Sequence, residues 1–205
     1  MNRKVGESEP MRKAKKIFFP IVLMVIAFMY SCAENPKAGY INRKMRIAFD
    51  PPVGWIKTEN LLFADAPMNA VREGFNRAFG RSHPQEIVHF VHKEGKNFGI
   101  ILIGIGNVLP GEQDLREVAG ETIEGLKSQY SDFKIITKKS RIVNGLQGYE
   151  FSYAGFKGRV NIRQKQVLLE RAKVGYLIIC TSLADNWSSL EPTFEKSIDS
   201  FRFLR

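Results

Sequence analysis

Few side chains in this 205-residue chain are placed to do chemistry, so their spacing decides what they mean. His89-Phe-Val-His92 offers two imidazoles, the commonest metal-ligating side chain. On a strand, residues three apart face opposite sides, so the two rings diverge. Chelation needs them two apart on a strand or four apart on a helix, and no cysteine cluster or carboxylate pair completes a set here. No metal is expected, and His83, beside Pro84, reads as a solvated loop residue. Gly104-Ile-Gly106-Asn-Val-Leu-Pro-Gly111 stands between a strand and a helix, like a dinucleotide loop. Its third glycine is at the wrong spacing, Pro110 removes an N–H, and no βαβ unit surrounds it. It reads as glycines at a strand end and a turn. Glu117, Glu121 and Glu124 lie at helical steps and read as a solvated face rather than an acid/base pair. No Ser/His/Asp or Cys/His arrangement is supported by order or context, so the chain reads as non-catalytic and without a cofactor.

A binding surface is the alternative use of chemistry. In Gly158-Arg-Val-Asn-Ile-Arg-Gln-Lys-Gln-Val-Leu168, period two puts Arg159, Asn161, Arg163 and Lys165 on one strand face. Val160, Ile162 and Leu168 share the other with Gln164 and Gln166. Lys134, Lys138, Lys139 and Arg141 are near in sequence. The basic face suits anionic headgroups or an acidic partner protein, which makes Arg159, Arg163 and Lys165 the candidate partner-binding residues. The competing reading is a solvated face whose charges discourage edge pairing.

Charge alone does not choose. The chain holds 31 Lys and Arg against 21 Asp and Glu, a formal +10. Residues 1–31 contain six of the basic residues and two of the acidic ones, leaving 25 against 19, net +6, for the remainder. That excess does not identify a nucleic-acid binder. Apolar residues at 44% and charged residues at 25% are ordinary for a globular chain and exclude wholesale disorder. Two cysteines, Cys32 and Cys180, are too few for a disulfide framework. Cys180, inside Tyr176-Leu-Ile-Ile-Cys-Thr, reads as a small buried hydrophobe.

The N-terminus reads as an address. Met11-Arg-Lys-Ala-Lys-Lys precedes a 14-residue apolar run, Ile17 to Tyr30, and then Ser31-Cys32. A positive segment, a short apolar run and small residues make a secretory signal; about 20 apolar residues would be needed to span a membrane. Met11 is an alternative start. Met29-Tyr30-Ser31-Cys32 resembles the lipobox of bacterial lipoproteins, although Tyr30 is bulkier than that pattern prefers. The resemblance implies lipidation of Cys32 and removal of residues 1–31. Cleavage after Ala33 by the ordinary signal peptidase is the competing reading, and an uncleaved anchor is a third. Ala33 in place of Asp resembles signals routed to the outer membrane where a host has two membranes. Residues 32–44 read as a tether, and 45–205 as one domain. Export argues against a nucleic-acid partner.

The elements that must position these residues follow from pattern. Arg46–Asp50 reads as a short strand ending at Pro51-Pro52. Pro67–Phe79 reads as a helix, Glu86–His92 and Phe98–Ile105 as a hairpin, and Asp114 or a neighbour as the cap of a helix running to about Tyr130. Phe133–Thr137, Leu146–Tyr153, Arg159–Arg171 and Tyr176–Leu183 read as strands, joined by turns at Asn144-Gly145, Gly155–Gly158 and Lys173–Gly175. Trp187, Leu190, Phe194, Ile198 and Phe201 mark a final helix, capped at Ser188 or Ser189, with Pro192 in its first turn. Turns this short predict an α+β domain: a mostly antiparallel sheet with helices packed on it.

The order of these elements resembles the PsbP-like family over about residues 45–203. Four stretches carry it: Phe49-Asp-Pro-Pro-Val-Gly-Trp55; Tyr130-Ser-Asp-Phe-Lys134; Val143-Asn-Gly-Leu-Gln-Gly-Tyr-Glu-Phe151; and Tyr176–Leu183 followed by Trp187 to Phe201. The resemblance implies an α/β/α sandwich, and members that are often exported and often lipoproteins. It also implies an alternative role as a small-ligand or ion-binding accessory, as in the family's photosystem II subunits. The expected function is a non-catalytic, membrane-tethered binding or assembly module of the bacterial cell envelope, with an envelope protein as partner.

Overall fold

The computed structural model describes residues 39–58, 86–94, 97–107 and 114–205. The helix expected at 67–79, His83, the Gly95-Lys96 turn, Pro110-Gly111 and Cys32 with its signal lie outside them.

Apolar runs and alternation sort the strands by depth. Strand β5 (Asn97–Asn107) holds Ile100 and Leu102 on one face and Ile101, Ile103 and Ile105 on the other, all buried. A strand apolar on both sides must be interior and covered twice. It pairs antiparallel with β4 (Glu86–Glu94) and with β9 (Val174–Leu183), whose Leu177 and Ile179 oppose Tyr176, Ile178 and Cys180 in the same way. With β3 (Ile56–Thr58), β6 (Ser131–Val143), β7 (Leu146–Lys157) and β8 (Val160–Arg171) they form a seven-stranded sheet in the order β3-β4-β5-β9-β8-β7-β6. Every pairing in it is antiparallel.

Helix α1 (Leu115–Lys127) lays Val118, Ala119, Ile123 and Leu126 on one face of this sheet. Asp114 caps it as expected, its carboxylate accepting from the Arg116 N–H at 2.8 Å. Helix α2 (Trp187–Ser200) lays Trp187, Phe194 and Ile198 on the other face. Beside α2 a small sheet, β1 (Tyr40–Asn42), β2 (Ile47–Phe49) and β10 (Arg202–Phe203), adds Ile47 and Phe49 to the same core.

Five local expectations are corrected. Strand β1 lies in what reads as tether, so folded structure begins by residue 40. Helix α1 stops at Lys127, where the Ser128 N–H closes back on the Leu126 carbonyl. Ser188 and Ser189 do not cap α2: a 3₁₀ turn, Ala184–Asn186, leads into it, and the Ser189 hydroxyl donates to the Asn186 carbonyl. Pro192 is therefore inside the helix rather than in its first turn. The β7–β8 turn is Gly158-Arg159, with φ of +61° at Gly158, and Gly155 stays in the strand.

Candidate functional site

The expected basic face is real as a face and not exposed as one. Strand β8 is interior, flanked by β7 and β9, and α2 covers the side that carries Arg163 and Lys165. The Arg163 guanidinium lies 4.8 Å from the Trp187 ring centroid and the Lys165 ammonium 5.9 Å from it. Lys165 is 6% exposed. Of the three candidates only Arg159, at the β7–β8 turn, is exposed. The three candidate residues thus do not share an exposed surface.

Lys165 is buried because α2 supplies its counter-charges. It pairs with Glu195, with Glu191 at 3.2 Å and with Glu150 of β7 at 3.9 Å. Arg141 of β6 reaches Glu150 at 2.5 Å, Glu195 at 2.8 Å and Asp199 at 2.6 Å. Lys139 completes the group at 3.4 Å from Glu150, which is 1% exposed. Burial pushes the Lys165 ammonium down, but its hydrogen bond to Glu195 and the Glu150 charge outweigh it and hold it above the usual range. Burial likewise raises the Glu195 carboxyl, and Lys165 and Arg141 more than reverse that, leaving it lowered. The cluster rivets three strands to α2. Its sequence signal was the helical step Glu191, Glu195, Asp199, complementary to the basic strand.

On the other face, Gln164 and Gln166 are buried and linked. The Tyr153 hydroxyl donates to Gln164 Oε1 at 2.7 Å, Gln164 Nε2 donates to the Thr181 hydroxyl at 2.8 Å, and Gln166 Nε2 donates to Gln164 at 2.6 Å. His89 and His92 do diverge. His89 is buried on the α1 side, where neither ring nitrogen has a hydrogen-bond partner among the described residues, and burial holds its pKa below the usual value. His92 is on the α2 side, stacked on Trp55 with centroids 5.6 Å apart and planes at 16°. Glu117, Glu121 and Glu124 are exposed on α1. Cys180 is fully buried, which pushes its thiol far above the usual range.

The Trp55–His92 stack forms part of an open groove of about 740 Å³ between α2 and the Pro51–Trp55 corner. The corner is a tight turn: the Trp55 N–H donates to the Pro52 carbonyl at 3.2 Å, and Gly54 takes φ of +80°. That conformation favours glycine and aims Trp55 at the sheet. Gly99 of β5 makes room for it, since a Cβ there would stand 2.7 Å from Trp55 Cη2. Pro51, Pro52, Leu190 and Pro192 add apolar walls; Asp50, Thr193 and Lys196 add polar ones. Val53 at the lip is completely exposed. Both serines in the groove are engaged: the Ser197 hydroxyl donates to the Asp50 carbonyl, and Ser200 Oγ accepts from the Asp50 N–H while donating to the Ser197 carbonyl. Both hydroxyls donate to backbone carbonyls, so neither serine is poised as a nucleophile. The sequence reading took the corner as a fold marker and passed over this role.

No family pattern and no curated protein matches the chain. Solved structures do. The cyanobacterial PsbP (CyanoP) of Synechocystis sp. PCC 6803 superposes with a TM-score of 0.53 at 14% identity, over 80% of this chain and 90% of that one. LpqN, described as involved in cell envelope biogenesis of Mycobacterium tuberculosis, gives 0.52 at 12% identity, over 78% and 83%. A protein of unknown function from Pseudomonas aeruginosa gives 0.50 at 15%, over 57% and 81%. The domain has the PsbP-like α+β fold expected from its sequence; identities this low establish fold alone.

Proposed function

We propose that the chain is an exported, non-catalytic binding or assembly protein of the bacterial cell envelope, held at a membrane by lipid on Cys32. In this reading the groove at Trp55 takes an extended apolar segment of an envelope partner protein. The observation that carries it is the groove's construction. An aromatic and proline-walled centre with a polar rim has the anatomy of a protein-recognition patch, and Trp is one of the residues enriched as anchors of such patches. The signal-like residues 11–32 supply the location, and the fold shared with LpqN, itself tied to envelope biogenesis, agrees with it by analogy.

A second reading, a small ligand in the same groove, is favoured by its volume of about 740 Å³, which falls within the usual span of small-molecule sites. A photo-crosslinking residue at position 53, in cells, separates the two. A discrete protein adduct from position 53, and none from a crosslinker at Ile142, an exposed residue outside the groove, is the result expected of a partner segment. Adducts that are identical at both positions, or absent, sink that reading. A ligand instead raises the melting temperature and changes Trp55 fluorescence, with the response lost in Trp55→Phe. For the anchor, alkynyl-palmitate labelling that disappears in Cys32→Ser, with loss of residues 1–31 by intact mass, is expected; an unlabelled chain starting at residue 34 overturns it.

A further inference from the structure

Unlike the cations under α2, those at one end of the domain are not internally neutralised. Three segments meet there. The turn between β1 and β2 carries Arg43 and Arg46, the β8–β9 hairpin carries Arg171 and Lys173, and the chain ends at Arg205. The Leu204 N–H donates to the Arg46 carbonyl at 2.8 Å, the Arg171 guanidinium lies 4.9 Å from the Phe203 ring, and the Tyr176 hydroxyl reaches the Met45 carbonyl. These contacts fix the three segments side by side. All five cations are exposed, and none forms an ion pair with a described carboxylate.

Chain length says what this end can reach. Only residues 33–38 separate Cys32 from Gly39, so the domain starts at most about 25 Å from the lipidated residue. Strand β1 then carries the chain about 10 Å to Arg43. A tether that short brings the domain against the membrane surface and leaves electrostatics to choose the side it presents. A lipid anchor is strengthened by a second, polybasic contact. Cations spread over two turns and a chain end match an extended anionic surface.

We propose that Arg43, Arg46, Arg171, Lys173 and Arg205 seat the domain on anionic phospholipid headgroups, so that the domain sits with this end on the bilayer. The proposal deepens the tethered reading and rests on it for orientation. The test uses the full chain carrying Cys32→Ser, so that lipid does not contribute, and phosphatidylcholine vesicles with and without phosphatidylglycerol. Binding is expected to require phosphatidylglycerol and to fall roughly 100-fold in R43Q/K173Q/R205Q, at about fivefold per cation. The same charge removed from the β6 edge and the β7–β8 turn, in K134Q/K138Q/R159Q, is expected to change it little. Equal melting temperatures establish that both variants are folded, and the N-terminal segment is common to all. Equal binding to both vesicles, or equal loss in both variants, overturns the proposal. So does binding to an acidic polypeptide resin without preference for phosphatidylglycerol, which points to an acidic protein. Labelling of Cys32 without this preference leaves the anchor standing and removes the seat; the preference without labelling does the reverse.

Discussion

Glu150 and Lys165 are both nearly sealed from water, and each is tolerable only because the other groups of the cluster are there. Taking a charge out of water costs several kcal/mol, and paired neighbours offset that cost. Lys165→Met removes one cation, takes from Glu191 its partner and leaves Glu195 and the buried Glu150 to share Arg141. A loss of about 3–5 kcal/mol is expected, measured by urea unfolding. A loss below about 1 kcal/mol, the scale of an exposed pair, means that Lys165 is not a buried link. The cluster also sets an acid limit. The folded-state pKa of Glu195 is lowered, so its stabilisation is fully present above the unfolded carboxyl value of about 4.3 and is lost as pH falls through the folded value. Melting temperature is therefore expected to stay level from pH 7 to about 5 and to fall below that, with a shallower fall in Glu195→Gln. An identical acid limb in the variant would place the titrating group elsewhere.

At the scale of elements, the hairpins show what a sequence advertises and what it hides. Asn144-Gly145 was legible because both residues tolerate the positive φ they adopt, +49° and +79°. Ala172 and Lys173 make the equivalent turn at +52° and +63°, with side chains that do not signal it, so the turn was read one residue late. The depth of β8 was hidden for another reason. A strand carrying Arg163 and Lys165 reads as exposed until Glu191 and Glu195, some thirty residues on, are brought over it. Helix α2 holds one further tension. Pro192 is its sixth residue, where it removes the hydrogen bond to the Ser188 carbonyl, yet its ring is exposed at the groove. Pro192→Ala is expected to raise stability by about 1–3 kcal/mol, read by thermal unfolding, because alanine restores the N–H and suits a helix interior. A fall instead would mean that the ring's packing outweighs the bond it removes.

The whole domain is closed by its two ends. Strand β2 near the start is flanked by β1 on one side and by β10, the last strand of the chain, on the other. Strand β2 was legible within Arg46–Asp50, but β1 and β10 hold three and two residues, too short for alternation to be read, which is why residues 40–44 passed for tether and β10 went unpredicted. The long strands and both described helices carried enough pattern to give the architecture; the clasp did not. Phe203 carries most of its contacts, edge-on to Tyr176 at 4.8 Å and to Phe201 at 5.2 Å. Deleting residues 202–205 uncovers Tyr176, frees the outer edge of β2 and removes the bond from the Leu204 N–H to Arg46. Phe203 is half-buried, so the deletion is expected to cost about 2–3 kcal/mol, less than a fully buried phenylalanine. Phe203→Ala should reproduce most of that loss in urea unfolding, and R205Q almost none of it. If R205Q destabilised as much as the deletion, the C-terminal residues would act through charge, and the cations assigned to the membrane would be holding the fold together instead.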